Sequence, residues 1–195
     1  METTLFRFDA ANHEYINPST GLVYPHITGM LEATGWIDDT WFTEEHSARG
    51  TAVHRLTADF DLGALDVASC VSRYRGYLLA HVAAMGILKA QGLEVLSVEE
   101  PIVHPTLGFG GRPDRVIRLA RAIGLLEGKS GGPDKSHQIQ TALQAILIGP
   151  EYRLPPESIL RYCLYWKDSG KFKLELHKDR HDFVEARKVI KSCCG

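Results

Sequence analysis

The sequence predicts an α/β fold: a mixed central sheet flanked by helices, with a β-hairpin and helices ahead of it. Three observations carry the prediction. Two apolar runs, residues 116–119 and 123–126, surround Ala120-Arg121-Ala122 and read as strands joined by a tight turn. Further along, Ile139, Ala142, Leu143, Ile146 and Leu147 recur at helical spacing. Residues 158–166 and 172–177 form a second strand pair around Asp168-Ser-Gly170. At 195 residues, 44% hydrophobic and 24% charged, the chain suffices for one domain with a sizeable core. Residues 1–46 read as an entry module and 47–195 as the main body of that domain.

In the entry module, residues 5–8 and 14–16 alternate as short strands around Asn12-His13. Asn17-Pro-Ser-Thr-Gly21 is a turn by composition, and 22–24 continue as strand. Residues 27–35 read as a short helix closed by Gly35. A second helix, 47–60, carries Ala48, Ala52, Val53, Leu56 and Phe60 at core-facing spacing and ends at Asp61-Leu62-Gly63. A long amphipathic helix spans 71–91 through Val71, Tyr74, Leu78, Val82 and Met85, and 93–103 is strand-like. After the 116–126 hairpin, Gly131-Gly132-Pro133-Asp134 leads into a helix that Gly149-Pro150 is expected to stop. Residues 182–192 form a terminal helix.

The hairpin brings the chemistry together. If its loop is the pair Ala120-Arg121, counting outward sets Asp114 opposite Glu127. Side chains so opposed have Cβ atoms about 4.5–5.5 Å apart, and two carboxylates there repel unless a divalent cation lies between them. Lys129, two residues beyond Glu127, points to the same face. Two carboxylates with an amine alongside are what water-mediated phosphodiester cleavage requires. The bland reading is a pair of edge-strand carboxylates and a solvated lysine. Glu99 and Glu100 are adjacent, so on a continuous strand only one of them faces this site.

The order His54, Glu100, Asp114, Glu127-Gly128-Lys129, Gln140 resembles the PD-(D/E)xK nuclease superfamily. Its likeness is to the RecB-type branch that includes phage-type exonucleases and the Cas-associated adaptation nucleases. Arg49-Gly-Thr-Ala-Val-His54 resembles that branch's first-helix motif, and Gly110-Gly-Arg-Pro-Asp114 its Gly-x-x-Asp segment. Gln140-Thr-Ala-Leu-Gln144 resembles the Gln-x-x-x-Tyr motif, except that Gln144 stands where the family has an aromatic. Residues 162–176, centred on Lys167-Asp-Ser-Gly-Lys171, resemble the strand pair that follows.

The resemblance implies a restriction-endonuclease-like core holding Mg²⁺ or Mn²⁺. Its implied ligands are His54, Asp114, Glu127, the Gly128 backbone carbonyl and, at the family's position, Glu100. Neutral imidazole suits Mn²⁺ better than Mg²⁺. Lys129 would orient the attacking water or stabilise developing charge; an ammonium beside two carboxylates has little reason to act as the base. Gln140 can hold Lys129 or a DNA phosphate. Arg49, Arg112, Lys135 and His137 are candidates to line a DNA groove, each equally readable as a solvated charge. Trp36, Trp41 and Trp166 are candidates to stack on single-stranded ends, although packing under a loop is the commoner use.

The implied activity is metal-dependent hydrolysis of DNA, exonucleolytic on linear duplex or single-stranded ends, in phage-type recombination, replication or repair. The rival is a non-catalytic nucleic-acid-binding scaffold on a nuclease fold. Homo-oligomers or a recombination partner protein belong to the same expectation. The net charge of −2 argues against a general polyanion binder but is compatible with acidic metal ligands offsetting a basic groove. Cys70, Cys163, Cys193 and Cys194 lack the spacing of an iron–sulfur site or disulfide framework, so no cluster and reduced thiols are expected. With no P-loop, no secretory opening and no apolar run near the roughly 20 residues of a membrane span, the expected setting is a bacterial or phage-infected cytoplasm.

Overall fold

The computed structural model describes residues 6–38, 43–68, 70 and 72–195. Leu5, Trp41 and Val71, which the sequence reading used in a strand, a stacking surface and a helix, lie outside these. A five-stranded mixed sheet forms the centre, in the order β10 (Phe172–Leu176), β9 (Leu160–Trp166), β8 (Ala122–Lys129), β7 (Arg115–Leu119), β4 (Leu93–Val98). Only β8 and β9 run parallel. A parallel pair needs a long crossover, and α4 (Lys135–Tyr152) supplies it.

Side-chain alternation splits the core in two. Val116 and Leu125 face α4, α1 (Ile27–Ala33) and α5 (His181–Cys194), packing with Met30, Leu143 and Phe183. Ile117 and Leu126 face the other way, onto α2 (Glu44–Asp61) and α3 (Arg75–Ala90), with Val53, Met85 and Trp166. The entry module is a three-stranded antiparallel sheet of β1 (Arg7–Asp9), β2 (Glu14–Ile16) and β3 (Val23–Tyr24). A two-stranded sheet, β5 (Ile102–Val103) with β6 (Gly110–Gly111), links it to the body: Gly110 N–H donates to the Pro25 carbonyl at 2.8 Å.

The hairpin register is the one the sequence predicts, with Leu119 opposite Ala122 and Val116 opposite Leu125. Its turn carries none of the residues that favour positive φ, and Ala120 sits at φ +55°. A left-handed non-glycine residue costs about 1–2 kcal/mol, partly offset in a glycine variant by extra chain entropy of about 0.5–1 kcal/mol. Ala120→Gly is therefore expected to stabilise the protein by about 0.5–1 kcal/mol, read as a higher urea midpoint at unchanged slope.

The largest departures from expectation fall at four boundaries. α2 begins at Glu44 because Thr43 caps it, its hydroxyl accepting from His46 N–H at 3.2 Å. Ala48, on its first turns, is exposed rather than core-facing. α3 begins only at Arg75. α4 runs through Gly149-Pro150 and ends at Arg153 in the left-handed region, where Leu154 N–H returns to the Gly149 carbonyl at 3.0 Å. A proline this close to the helix end deprives only one carbonyl of its donor. The expected strand 93–103 breaks at Glu99–Pro101: Glu99 adopts φ +48°, and β5 leaves to pair with β6. That break reshapes the site.

Candidate active site

Asp114 lies just before β7, its side chain only 9% exposed. One carboxylate oxygen, Oδ2, accepts the Gly128 backbone N–H from β8 at 2.7 Å. The other, Oδ1, is 3.1 Å from His54 Nδ1 on α2. Burial by itself would raise this carboxyl, but His54, Arg115 and Lys129 outweigh it and hold Asp114 well below the ordinary carboxylate range. It is a fixed anion. For His54, burial opposes protonation, yet the charge and hydrogen bond of Asp114 prevail and raise its pKa.

Glu127 is clamped from both sides. Its Oε1 accepts Lys129 Nζ at 3.0 Å and Gln140 Nε2 at 2.7 Å; its Oε2 accepts Gln144 Nε2 at 2.8 Å. Lys129 Nζ also donates to Gln140 Oε1 at 2.9 Å. Because a carboxylate only accepts, these bonds fix which end of each amide faces it. Burial pulls the Lys129 amine down, but Glu127 and then Asp114 overcome this and raise its pKa, so it remains an ammonium.

The third carboxylate is Glu99, not Glu100. The alternation argument assumed a continuous strand; with the chain turned at Glu99, its backbone N–H donates to the Asp114 carbonyl at 3.0 Å. Ligand atoms of His54, Glu99 and Asp114 all lie within 4.8 Å of one another. Glu100 instead is exposed, beside Glu151 and Tyr152. Two carboxylates and an imidazole make a donor set that could hold a divalent metal ion. Glu127, with both oxygens engaged by donors, stands beside this group rather than in it.

These residues floor a cleft of about 850 Å³ between α2 and the entry module, whose His13 and His26 reach its wall. Arg112 lines the cleft. Lys135 is exposed at the start of α4, away from the cleft lining. His137 serves as a helix cap, accepting the Asp134 backbone N–H at 3.2 Å. Burial, then Lys129, push its imidazole down to about 4, so it is no phosphate-neutralising cation at pH 7. Arg49 is half-buried on α2 and is not part of the cleft lining, which its neighbours Gly50 and Thr51 join. Trp36 packs partly buried against the core.

Trp166 is buried at 1% exposure and therefore unavailable for stacking on a nucleobase. It underlies the site instead, its ring edge-on to His54 at 5.6 Å. A Cβ on Gly128 would stand 1.9 Å from Trp166 Cη2. Gly128→Ala is expected to cost about 1–3 kcal/mol as overpacking and to displace the N–H that holds Asp114. A thermal melt alongside a metal titration would detect both effects.

Behind Asp114 lies a buried group that the sequence reading did not single out. Arg115 Nε donates to Asp61 Oδ2 at 2.6 Å, and His81 Nε2 meets the same oxygen at 2.8 Å. All three side chains are at most 1% exposed, and Arg115 Nη1 lies 3.9 Å from Asp114 Oδ2. Gln144 was also undervalued, as a departure from a motif rather than a buried donor to Glu127. Its place one helical turn after Gln140 was the available signal.

The fold and this cluster define an α/β protein with a carboxylate–imidazole site of metal-binding composition beside a fixed ammonium. No family model and no curated protein matches the chain. Among solved structures it is similar to an alkaline exonuclease from Laribacter hongkongensis, at 16% identity over 87% of this chain and 84% of that one, with a TM-score of 0.47. It is likewise similar to a putative exonuclease from Eubacterium rectale, at 11% identity over 87% and 77%, TM-score 0.47. The Laribacter enzyme in complex with dAMP aligns at 16% identity over 87% and 85%, TM-score 0.40.

Proposed function

We propose that this protein is a divalent-metal-dependent DNA nuclease of the PD-(D/E)xK type, acting on linear ends. The observation that carries the reading is the Asp114 carboxylate, ionised and held between the Gly128 amide and His54, with a Glu99 oxygen within 4.8 Å of a ligand atom on each side chain. His54, Glu99 and Asp114 would hold Mg²⁺ or Mn²⁺, which supplies a water of lowered pKa and offsets charge on the scissile phosphate. The chain's own residues do the rest. Lys129, pinned by Glu127 and Gln140, presents an ammonium whose remaining proton can donate to the attacking water or a phosphoryl oxygen. Gln140 and Gln144 keep Glu127 from rotating, so the ammonium keeps its aim without reorganising during the reaction.

Hydrolysis here adds water oxygen to phosphorus and releases an alkoxide, which takes up a proton. The Lys129 ammonium and the Arg112 guanidinium on the cleft lining are groups suited to phosphate oxygens. The test compares end-labelled linear duplex, linear single strands and covalently closed circles, each with Mn²⁺ and with chelator. Stepwise release of small products from linear DNA only, abolished by chelator, is expected. Equal cutting of circles would refute end dependence, and binding without cutting of any substrate would refute the enzyme.

A further inference from the structure

Glu99 has two claimants. One of its oxygens, Oε2, pairs with Arg112 Nη2 at 3.2 Å, and its carboxylate also belongs to the group with His54 and Asp114. Its backbone is fixed by the left-handed turn and the bond to the Asp114 carbonyl, so the side chain stays within reach of both. Arg112 lines the same cleft, with its guanidinium 5.8 Å from the Phe8 ring of the entry module. Side chains 35% and 22% exposed make this a wet ion pair that water and other ions can replace. The guanidinium fork is the side chain best matched to a phosphate.

The charge in the cleft explains why the pairing matters. Four carboxylates, Asp59, Glu99, Asp114 and Glu127, line the cleft with three Lys/Arg cations, Arg55, Arg112 and Lys129, so a polyanionic strand meets more carboxylates than Lys/Arg cations. Arg55 on the cleft's wall pairs with Asp59 within α2, and while Glu99 holds Arg112, the guanidinium beside the His54–Glu99–Asp114 group is spoken for. A cation held by His54, Glu99 and Asp114 would compete for that carboxylate and would leave Arg112 to the strand.

We propose that Arg112 is the cleft's phosphate-binding residue and that Glu99 couples it to cation binding, so that cation and nucleotide favour each other's binding. This rests on the nuclease reading. Linkage makes the effect reciprocal: whatever factor Mn²⁺ adds to nucleotide affinity, nucleotide adds to Mn²⁺ affinity.

The experiment is calorimetry with Mn²⁺ and with thymidine 3′,5′-bisphosphate, which carries strand-like phosphates but no diester to cut. In the wild type each probe is expected to tighten the other by about 5- to 10-fold. In Arg112→Met that factor falls toward one, while Mn²⁺ alone binds at least as tightly because Glu99 has lost its competitor. Arg112→Lys, which keeps the charge without the fork, is expected to retain part of the coupling and substitutes if the methionine variant does not fold. Full coupling in Arg112→Met, or weaker Mn²⁺ binding in it, would overturn the proposal. If the wild type binds Mn²⁺ but shows no coupling, this inference alone fails; if it binds no Mn²⁺, the nuclease reading fails with it.

Discussion

Asp114→Asn is expected to abolish Mn²⁺ binding and to lower kcat/KM on linear DNA by about 10³-fold or more. The substitution keeps the shape and an oxygen for the Gly128 N–H but removes the anion that His54 and the neighbouring cations are arranged around. Charge stabilisation by a bound cation supplies several kcal/mol, and each 1.4 kcal/mol is about tenfold in rate. Calorimetry separates this from unfolding, because the asparagine variant should melt cooperatively while showing no Mn²⁺ heat. An asparagine variant that binds Mn²⁺ as the wild type does would place the cation elsewhere.

The largest expected loss of stability comes from the group behind the site. Arg115→Met leaves Asp61 buried with only His81 to answer its charge, and breaking a buried pair from one side typically costs about 3–5 kcal/mol. Asp61→Leu should cost a similar amount by stranding the guanidinium. The double variant Asp61→Leu with Arg115→Met is expected to lose less than either single change, since apolar replacement of a whole buried pair is often neutral. For Asp61, burial would raise the carboxyl, but His81 and Arg115 outweigh it, leaving its pKa below the ordinary value. That stability is fully present above the unfolded carboxyl pKa, about 3.9, and is lost as pH falls through the lower folded value. The gap between wild type and Arg115→Met should therefore narrow as urea unfolding is moved from pH 7 to below pH 4. A gap independent of pH would mean that the ion pair is not what the substitution removes.

Arg115 also explains how far the sequence could be read. The hairpin register was legible because a two-residue loop and side-chain alternation leave little freedom once the turn is located, and they set Asp114, Glu127 and Lys129 together. Burial of an arginine beside Asp114 was not, because its partner Asp61 closes a helix more than fifty residues earlier and there resembles a turn residue. Alternation left Glu99 and Glu100 as alternatives and the family's position favoured Glu100; the left-handed turn before Pro101 ends the strand there and leaves Glu99 beside His54 and Asp114. Gln144 presented a family departure on paper, whereas in the fold its amide completes the clamp on Glu127. Trp166 was open to either use in the sequence, and the approach of Gly128 settles it as the floor beneath the site.

The central claim is that Lys129 and the carboxylates around it hydrolyse phosphodiesters, and one assay addresses it directly. Wild type and Lys129→Ala are incubated with end-labelled linear duplex DNA and Mn²⁺, at protein concentrations where both bind the DNA. Release of mononucleotides or short oligomers by the wild type, lost in the alanine variant although it still binds Mn²⁺, is the predicted result. Equal binding without cutting by both proteins, or equal cutting by both, would contradict it.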